Sequence, residues 1–171
     1  MNYSEQLLSG ISRFNTDLIA ADVGCDSEKF KTIMHLMLNG KAPIPQRAAW
    51  VMSAVTDQYL FLIEPYINQI IEFLPDYKHP GITRNVLRVL AQIHIPPELQ
   101  GTMFEYCYKS LKEKDVPIAI RTLSMEILCN ISENEPDLKS ELILLIESQL
   151  NGCSAGVENR ARKLLKKLRK N

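Results

Sequence analysis

A repeat of about 38 residues constrains the fold of this chain more than any other feature of its sequence. Ile44, Ile82, Ile120 and Val157 lie 38, 38 and 37 residues apart. Shifted by these intervals, the four copies share further apolar or small positions: Ala48, Val86, Ser124 and Ala161; Val51, Val89, Ile127 and Leu164; Met52, Leu90, Leu128 and Leu165; Val55, Ile93, Ile131 and Leu168. The spacing inside each copy is that of one helix face, and the period is typical of solenoids built from helix pairs.

The segments between these copies carry a second set of aligned apolar positions. They are Leu62, Leu99 and Leu138; Tyr66, Met103 and Leu142; Ile67, Phe104 and Ile143; Ile70, Cys107 and Ile146; Leu74, Leu111 and Leu150. We call the helix of this second set A and the helix of the first set B. Pro65 either kinks its A helix or marks the true start of that helix, with 58–64 as an extension of the preceding B helix.

The two sets of helices predict a single all-α domain over residues 1–171. Each A–B pair has one apolar side, which it can bury only by stacking on its neighbours. The expected helix pairs occupy 27–57, 58–93, 97–131 and 136–169. Residues 1–26 are expected to form an N-terminal cap or a degenerate repeat.

Charge is distributed unevenly along the chain. Twenty Lys and Arg balance 20 Asp and Glu, but seven basic residues and no acid lie from Arg160 to Lys170. The preceding 159 residues therefore carry 13 basic and 20 acidic side chains. An acidic body argues against broad nucleic-acid binding, and it indicates that a charged partner would be basic.

The remaining composition points to the cytoplasm. The N-terminus lacks a secretory signal, and stretches such as 142–146 are too short to cross a membrane. The four cysteines form no CxxC pair, so zinc knuckles and thioredoxin-like motifs are excluded.

One inter-helix turn points to a family. The run Asp115-Val116-Pro117-Ile118-Ala119-Ile120-Arg121 resembles the turn of HEAT repeats, with an Asp, a Pro and then an aliphatic–Arg pair. The resemblance covers about residues 27–168 and implies a right-handed, HEAT/armadillo-like α-solenoid of about four stacked antiparallel pairs. It also implies that the B helices line a concave surface. Only Arg121 occupies the family's arginine position, so we expect the apolar register, rather than an Asp–Arg ladder, to carry the stacking.

One aligned B-helix position never carries an aliphatic residue: Trp50, Arg88, Glu126 and Lys163. It lies between two core-facing stripes and is expected to point away from the A helices. The candidate partner-binding residues on this side are Arg47, Trp50, Arg84, Arg88, Gln92 and Glu126. An exposed Trp near Arg would make a strong binding contact. The alternatives are that Trp50 packs in the core, and that Arg88 and Glu126 form ion pairs with neighbouring repeats, which contribute little.

The last helix is basic and amphipathic. Its seven cations are Arg160, Arg162, Lys163, Lys166, Lys167, Arg169 and Lys170. Such a helix could bind nucleic acid, an anionic membrane or an acidic partner. Because its aliphatic residues all belong to the repeat register, the sequence favours a capping helix with a solvated basic face.

No catalytic motif, metal site or cofactor site is predicted from the sequence. We expect a non-catalytic protein-binding or scaffold module that binds a protein and neither nucleic acid nor a membrane. One alternative is a nucleic-acid-binding protein resembling the HEAT-like alkylpurine DNA glycosylases, whose Trp, Arg and acid could be matched by Trp50, Arg88 and Glu126. Another is a subunit attached to a metabolic enzyme.

Overall fold

Every regular element in the described part of the chain is helical. The computed structural model describes residues 1–113, 115–150 and 153–170. The α-helices are α1 Tyr3–Ser9, α2 Arg13–Val23, α3 Ser27–Asn39, α4 Ile44–Thr56, α5 Ile67–Glu72, α6 Pro80–Leu90, α7 Pro97–Lys112, α8 Ile118–Ile131, α9 Pro136–Ser148 and α10 Ala155–Leu168. Short 3-10 helices span Leu60–Tyr66, Leu74–Asp76 and Ser132–Asn134. The all-α prediction is confirmed, and no helix in these ranges is long and apolar enough to cross a membrane.

The chain divides into two compact units, Met1–Val89 and Leu90–Asn171, which we call unit 1 and unit 2. In unit 1, α3 packs against α4, and α1 and α2 also contact α4. In unit 2, α7 packs against α8, and α10 contacts both α8 and α9. The number of stacked pairs, their handedness and the single-domain organisation stay predictions.

Side-chain caps and prolines set where the helices begin. Asn2, Ser12 and Asp26 precede α1, α2 and α3, and their side chains accept hydrogen bonds from backbone N–H groups of the first turn. These bonds satisfy donors that have no partner inside the helix. A proline is the first residue of α6, α7 and α9, where its missing N–H removes no helical hydrogen bond.

The repeat register is also the burial pattern. Of the aligned B-helix positions, all but Ile44, Ile93 and Val157 are buried. In the A helices, nine of the fifteen aligned residues are buried, including Ile70 and Ile146 at 0% exposed, and the other six are half-buried. The aligned residues therefore form the cores of the two units, as the one-sided periodicity requires.

The segment around Pro65 differs from both alternatives drawn from the sequence. The B helix α4 ends at Thr56, so it does not extend over 58–64. Pro65 lies inside the 3-10 helix Leu60–Tyr66, and the α-helix begins only at Ile67. A proline lacks the N–H that a continuing α-helix needs, and short 3-10 turns are common at helix N-termini.

Candidate partner-binding surface

Arg47 is engaged inside unit 1. One guanidinium nitrogen, Nη1, donates to the backbone oxygens of Leu7 at 2.6 Å and Leu8 at 3.3 Å. These carbonyls belong to the last turn of α1, where helical carbonyls lack intrahelical partners. The half-buried side chain thus joins α4 to α1.

Trp50 is neither fully exposed nor fully packed in the core, the two alternatives considered from the sequence. Its side chain is half-buried, whereas Ala49 and Val51 on either side are buried. Part of the indole is therefore packed within unit 1, and part is accessible. A large, partly fixed aromatic surface of this kind is suited to a protein contact.

Two arginines lie on the exposed side of α6. Nη2 of Arg88 is 2.7 Å from Oδ2 of Asp57, the residue that follows α4. The neighbouring-repeat ion pair considered for Arg88 is thus present, and both groups remain partly solvated. Arg84, one turn earlier, is exposed and forms no ion pair with any described residue. An ion pair at such a surface adds little stability.

The remaining candidates lie in unit 2. Gln92 is exposed just after α6. Glu126 on α8 is half-buried and forms an ion pair with Arg160 on α10. Trp50, Arg84 and Arg88 belong to unit 1, so the proposed set is divided between the two units.

Most cations of the last helix are held by neighbouring acids. Arg160 pairs with Glu126 of α8, Lys167 with Glu133 and Arg169 with Glu147 of α9. Arg162 pairs with Glu158 within α10. The aliphatic positions Leu164, Leu165 and Leu168 are buried, whereas Lys163, Lys166 and Lys170 are exposed. This arrangement supports the capping interpretation for α10.

Two features were not anticipated from the sequence. A cavity of about 540 Å³ lies in unit 1 between the α3–α4 turn and the segment from Phe73 to Ile82. Large apolar side chains are also exposed on α1, α2 and the turn between them, at Leu8, Ile11, Phe14 and Leu18. Lys41 and Lys78 were a signal for the cavity, but they lie in turns, which the repeat register leaves out.

The reactive groups are dispersed or buried. The described ranges contain no group of three or more His, Cys, Asp or Glu that could hold a metal ion. Burial raises the pKa of the Cys107 and Cys129 thiols to about 12. Because the thiolate is the nucleophile, these cysteines are inert at neutral pH.

Comparison with known proteins gives one match. A family model described as a HEAT repeat domain matches residues 3–168, from the first residue of α1 to the last residue of α10. Searches of curated proteins and of solved structures returned no match. The match favours a helical scaffold or protein-interaction module, and it gives no support to the glycosylase-like alternative.

Proposed function

Because this chain belongs to the HEAT-repeat family, we propose that it is a non-catalytic protein-binding module. We propose further that its partner contacts the surface of unit 1 formed by Trp50, Arg84 and Arg88, which we call the tryptophan face. Membership of the family favours an interaction module, but a fold alone does not assign a site. The support for the tryptophan face is therefore the position of its residues on α4 and α6.

Helix periodicity places these residues on one surface. Trp50 and Asp57 are seven residues apart, so they lie on the same side of α4 about two turns apart. Arg84 and Arg88 are four residues apart and share a side of α6. The ion pair between Arg88 and Asp57 brings these two helix sides together. This contact supports a common surface for Trp50 and Arg84.

The observation that carries the proposal is an exposed Arg84 on α6 together with a half-buried Trp50 on α4 of the same unit. Arg84 forms no ion pair with any residue of the described ranges, so a partner's carboxylate or carbonyl would not have to displace an internal one. Trp and Arg are the residue types that dominate interface energies. Asp57 restrains Arg88, which reduces the entropy lost on binding.

Two further elements belong to this proposal. We infer that the protein has no catalytic activity, since its buried thiols have a raised pKa and its histidines, His35, His79 and His94, lie in separate segments. We also infer a cytoplasmic location. The four free cysteines suit a reducing compartment.

The test is partner capture by immobilised protein, with the captured proteins quantified by mass spectrometry. The variant is Trp50→Ala/Arg84→Ala. The matched control is Phe61→Ala/Lys31→Ala, which removes another exposed aromatic ring and another exposed cation from unit 1. We expect the first variant to reduce recovery of the partner at least about tenfold and the control to retain it. The two residues of unit 2, Gln92 and Glu126, are replaced separately.

Circular dichroism must show equal helicity for both double variants. Equal recovery of every captured protein by wild type and by Trp50→Ala/Arg84→Ala would exclude the tryptophan face. The purified partner would then be titrated calorimetrically, so that a change in affinity is separated from a change in abundance.

A further inference from the structure

The cavity in unit 1 has a partly apolar wall. It lies between the α3–α4 turn and the segment that joins α5 to α6. Its apolar lining includes Met37, Pro43, Phe73 and Ile82. Phe73 is also partly exposed. A volume of about 540 Å³ accommodates a large side chain with its flanking backbone, and it lies within the range of ligand pockets.

Backbone hydrogen bonds fix the two turns that form the walls. The N–H of Gly40 donates to the oxygen of Leu36 at 3.1 Å, and that of Ile82 donates to the oxygen of His79 at 2.9 Å. A Cβ atom at Gly40 would clash with the same oxygen of Leu36, so this tight turn requires glycine. The cavity is thus shaped before any ligand binds, which favours affinity.

Two lysines without a partner among the described residues line this cavity. Unit 1 contains eight Lys and Arg among residues 1–89. Five of them contact a carboxylate or a backbone carbonyl: Arg13, Lys29, Lys31, Arg47 and Arg88. The other three, Lys41, Lys78 and Arg84, form no such contact with a described residue, and the two lysines line the cavity. Asp76 is the one acid of that lining, so the cavity is locally cationic in a unit that has nine acids.

Tyr77 and His79 are further polar residues of the lining. The Tyr77 hydroxyl is buried without a hydrogen-bond partner among the described residues, and burial raises its pKa, so it stays protonated. Nδ1 of His79 accepts from the N–H of Gly81 at 3.0 Å, which leaves the proton of the neutral ring on Nε2. A buried hydroxyl without a partner is unfavourable.

We propose that this cavity binds a short acidic segment of a partner protein, in which an Asp or Glu is next to a bulky apolar side chain. The carboxylate would bind between Lys41 and Lys78, and the apolar side chain would pack against Phe73. The inference builds on the proposed function, because it names the chemistry of a partner, but it uses a surface other than the tryptophan face. The proposed partner segment is acidic although residues 1–159 are acidic as well, because the cations at the cavity determine which charge binds there.

The test is an NMR titration of isotope-labelled full chain with a blocked tetrapeptide of alternating glutamate and leucine. We expect saturable shifts in the amide signals of residues 37–46 and 73–82, with weaker binding as salt rises. The control peptide has glutamine in place of glutamate, and hexanoate tests for a free organic acid. The proposal would be overturned if the glutamine peptide bound as tightly as the glutamate peptide. It would also be overturned if hexanoate bound and the glutamate peptide did not.

Matched variants assign the binding to the cavity. Lys41→Gln/Lys78→Gln should lower the affinity for the glutamate peptide about tenfold, and Phe73→Ala should lower it as well. Lys31→Gln removes an exposed cation of unit 1 that lies outside the cavity and the tryptophan face, and it should leave the affinity unchanged. An equal loss with Lys31→Gln, or no loss with the double variant, contradicts the proposal.

The same variants distinguish this inference from the proposed function. If Trp50→Ala/Arg84→Ala loses the captured partner while the glutamate peptide fails to bind wild type, the cavity proposal is wrong and the protein-binding proposal stands. If the peptide binds and capture is unaffected by Trp50→Ala/Arg84→Ala, the tryptophan face is wrong and the cavity is the binding site.

Discussion

The guanidinium of Arg47 in α4 donates a 2.6 Å hydrogen bond to the backbone oxygen of Leu7, 40 residues earlier in the chain. That oxygen belongs to α1, a helix of only seven residues. A helix so short is unstable in isolation and depends on tertiary contacts. The position of α1 therefore depends on one side chain of α4 as well as on the burial of Tyr3 and Leu7.

Arg47→Met should destabilise the protein by about 1.5–3 kcal/mol, because the hydrogen bond comes from a charged donor and its loss leaves carbonyls of α1 unsatisfied. Chemical denaturation measures the change, and hydrogen exchange should show the largest increase in α1. Arg84→Met, at an exposed position without an ion pair to any described residue, should change stability by less than about 0.5 kcal/mol. Similar losses for the two variants would refute a special role for Arg47.

Truncation of two phenylalanines of unit 1 should change the stability by very different amounts. Phe30 is 0% exposed and contacts the ring of Tyr66 edge to face, with 5.9 Å between centroids. Phe30→Ala should cost about 3–5 kcal/mol of unfolding free energy, because it opens a cavity in the core. Phe14 is 78% exposed, so Phe14→Ala should stay within about 0.5 kcal/mol. Thermal and urea denaturation measure the stability of both variants. Equal losses of unfolding free energy would show that the core assignment is wrong.

The carboxylate of Asp22 should make stability depend on pH in the acid range. A hydrogen bond from the Tyr3 hydroxyl, at 2.6 Å, and a contact with Lys29 hold the pKa of Asp22 below its usual value. The folded state therefore favours the ionised form. Its contribution is complete above the unfolded pKa of about 3.9 and is lost as pH falls through the lowered folded pKa.

The measurement for Asp22 is urea denaturation of wild type and Asp22→Asn across this pH range. The stability difference should be constant near neutral pH and should shrink under acid conditions. In a Tyr3→Phe background, the stability difference should vary less with pH, because the hydrogen bond that contributes most to the lowered pKa of Asp22 is removed. A difference that does not vary with pH would contradict the assignment.

Thiol reactivity should separate the cysteines by burial. Cys25 is exposed, whereas Cys107 and Cys129 are buried and have a pKa raised to about 12. A disulfide reagent at neutral pH should label Cys25 rapidly and the two buried thiols only as fast as the protein opens. Cys25→Ser should remove the fastest labelling and leave that of the half-buried Cys153. Rapid labelling of Cys107 in that variant would show that the core of unit 2 is open.

The helices could be predicted from sequence because burial leaves a periodic trace. Met52, Leu90, Leu128 and Leu165 were aligned by spacing alone, and all four are buried. The segment at Pro65 was harder, because a single proline is compatible with a kink, a helix start or a 3-10 turn. Burial pattern alone does not distinguish these geometries.

The candidate surface was less predictable, because side-chain partners lie far apart in the chain. The partner of Arg88 is Asp57, 31 residues earlier, and the partners of Arg47 are backbone oxygens, which no side-chain pattern reveals. Arg88 could be identified as a candidate from its aligned position, but its ion pair could be considered only as an alternative. Turn residues such as Lys41 and Lys78 carry no periodicity at all.

The two lysines of the cavity in unit 1 lie in turns, whereas Met37 and Ile82 of its lining are buried residues of α3 and α6. Substitutions at Lys41 or Lys78 leave the buried positions untouched, since both lysines are exposed. Loop positions tolerate sequence change better than core positions do. The charge of the proposed binding cavity and the folding of unit 1 thus depend on separate residues. Selection can alter what such a protein recognises while its folding stability stays constant, so relatives with the same architecture are free to diverge in specificity.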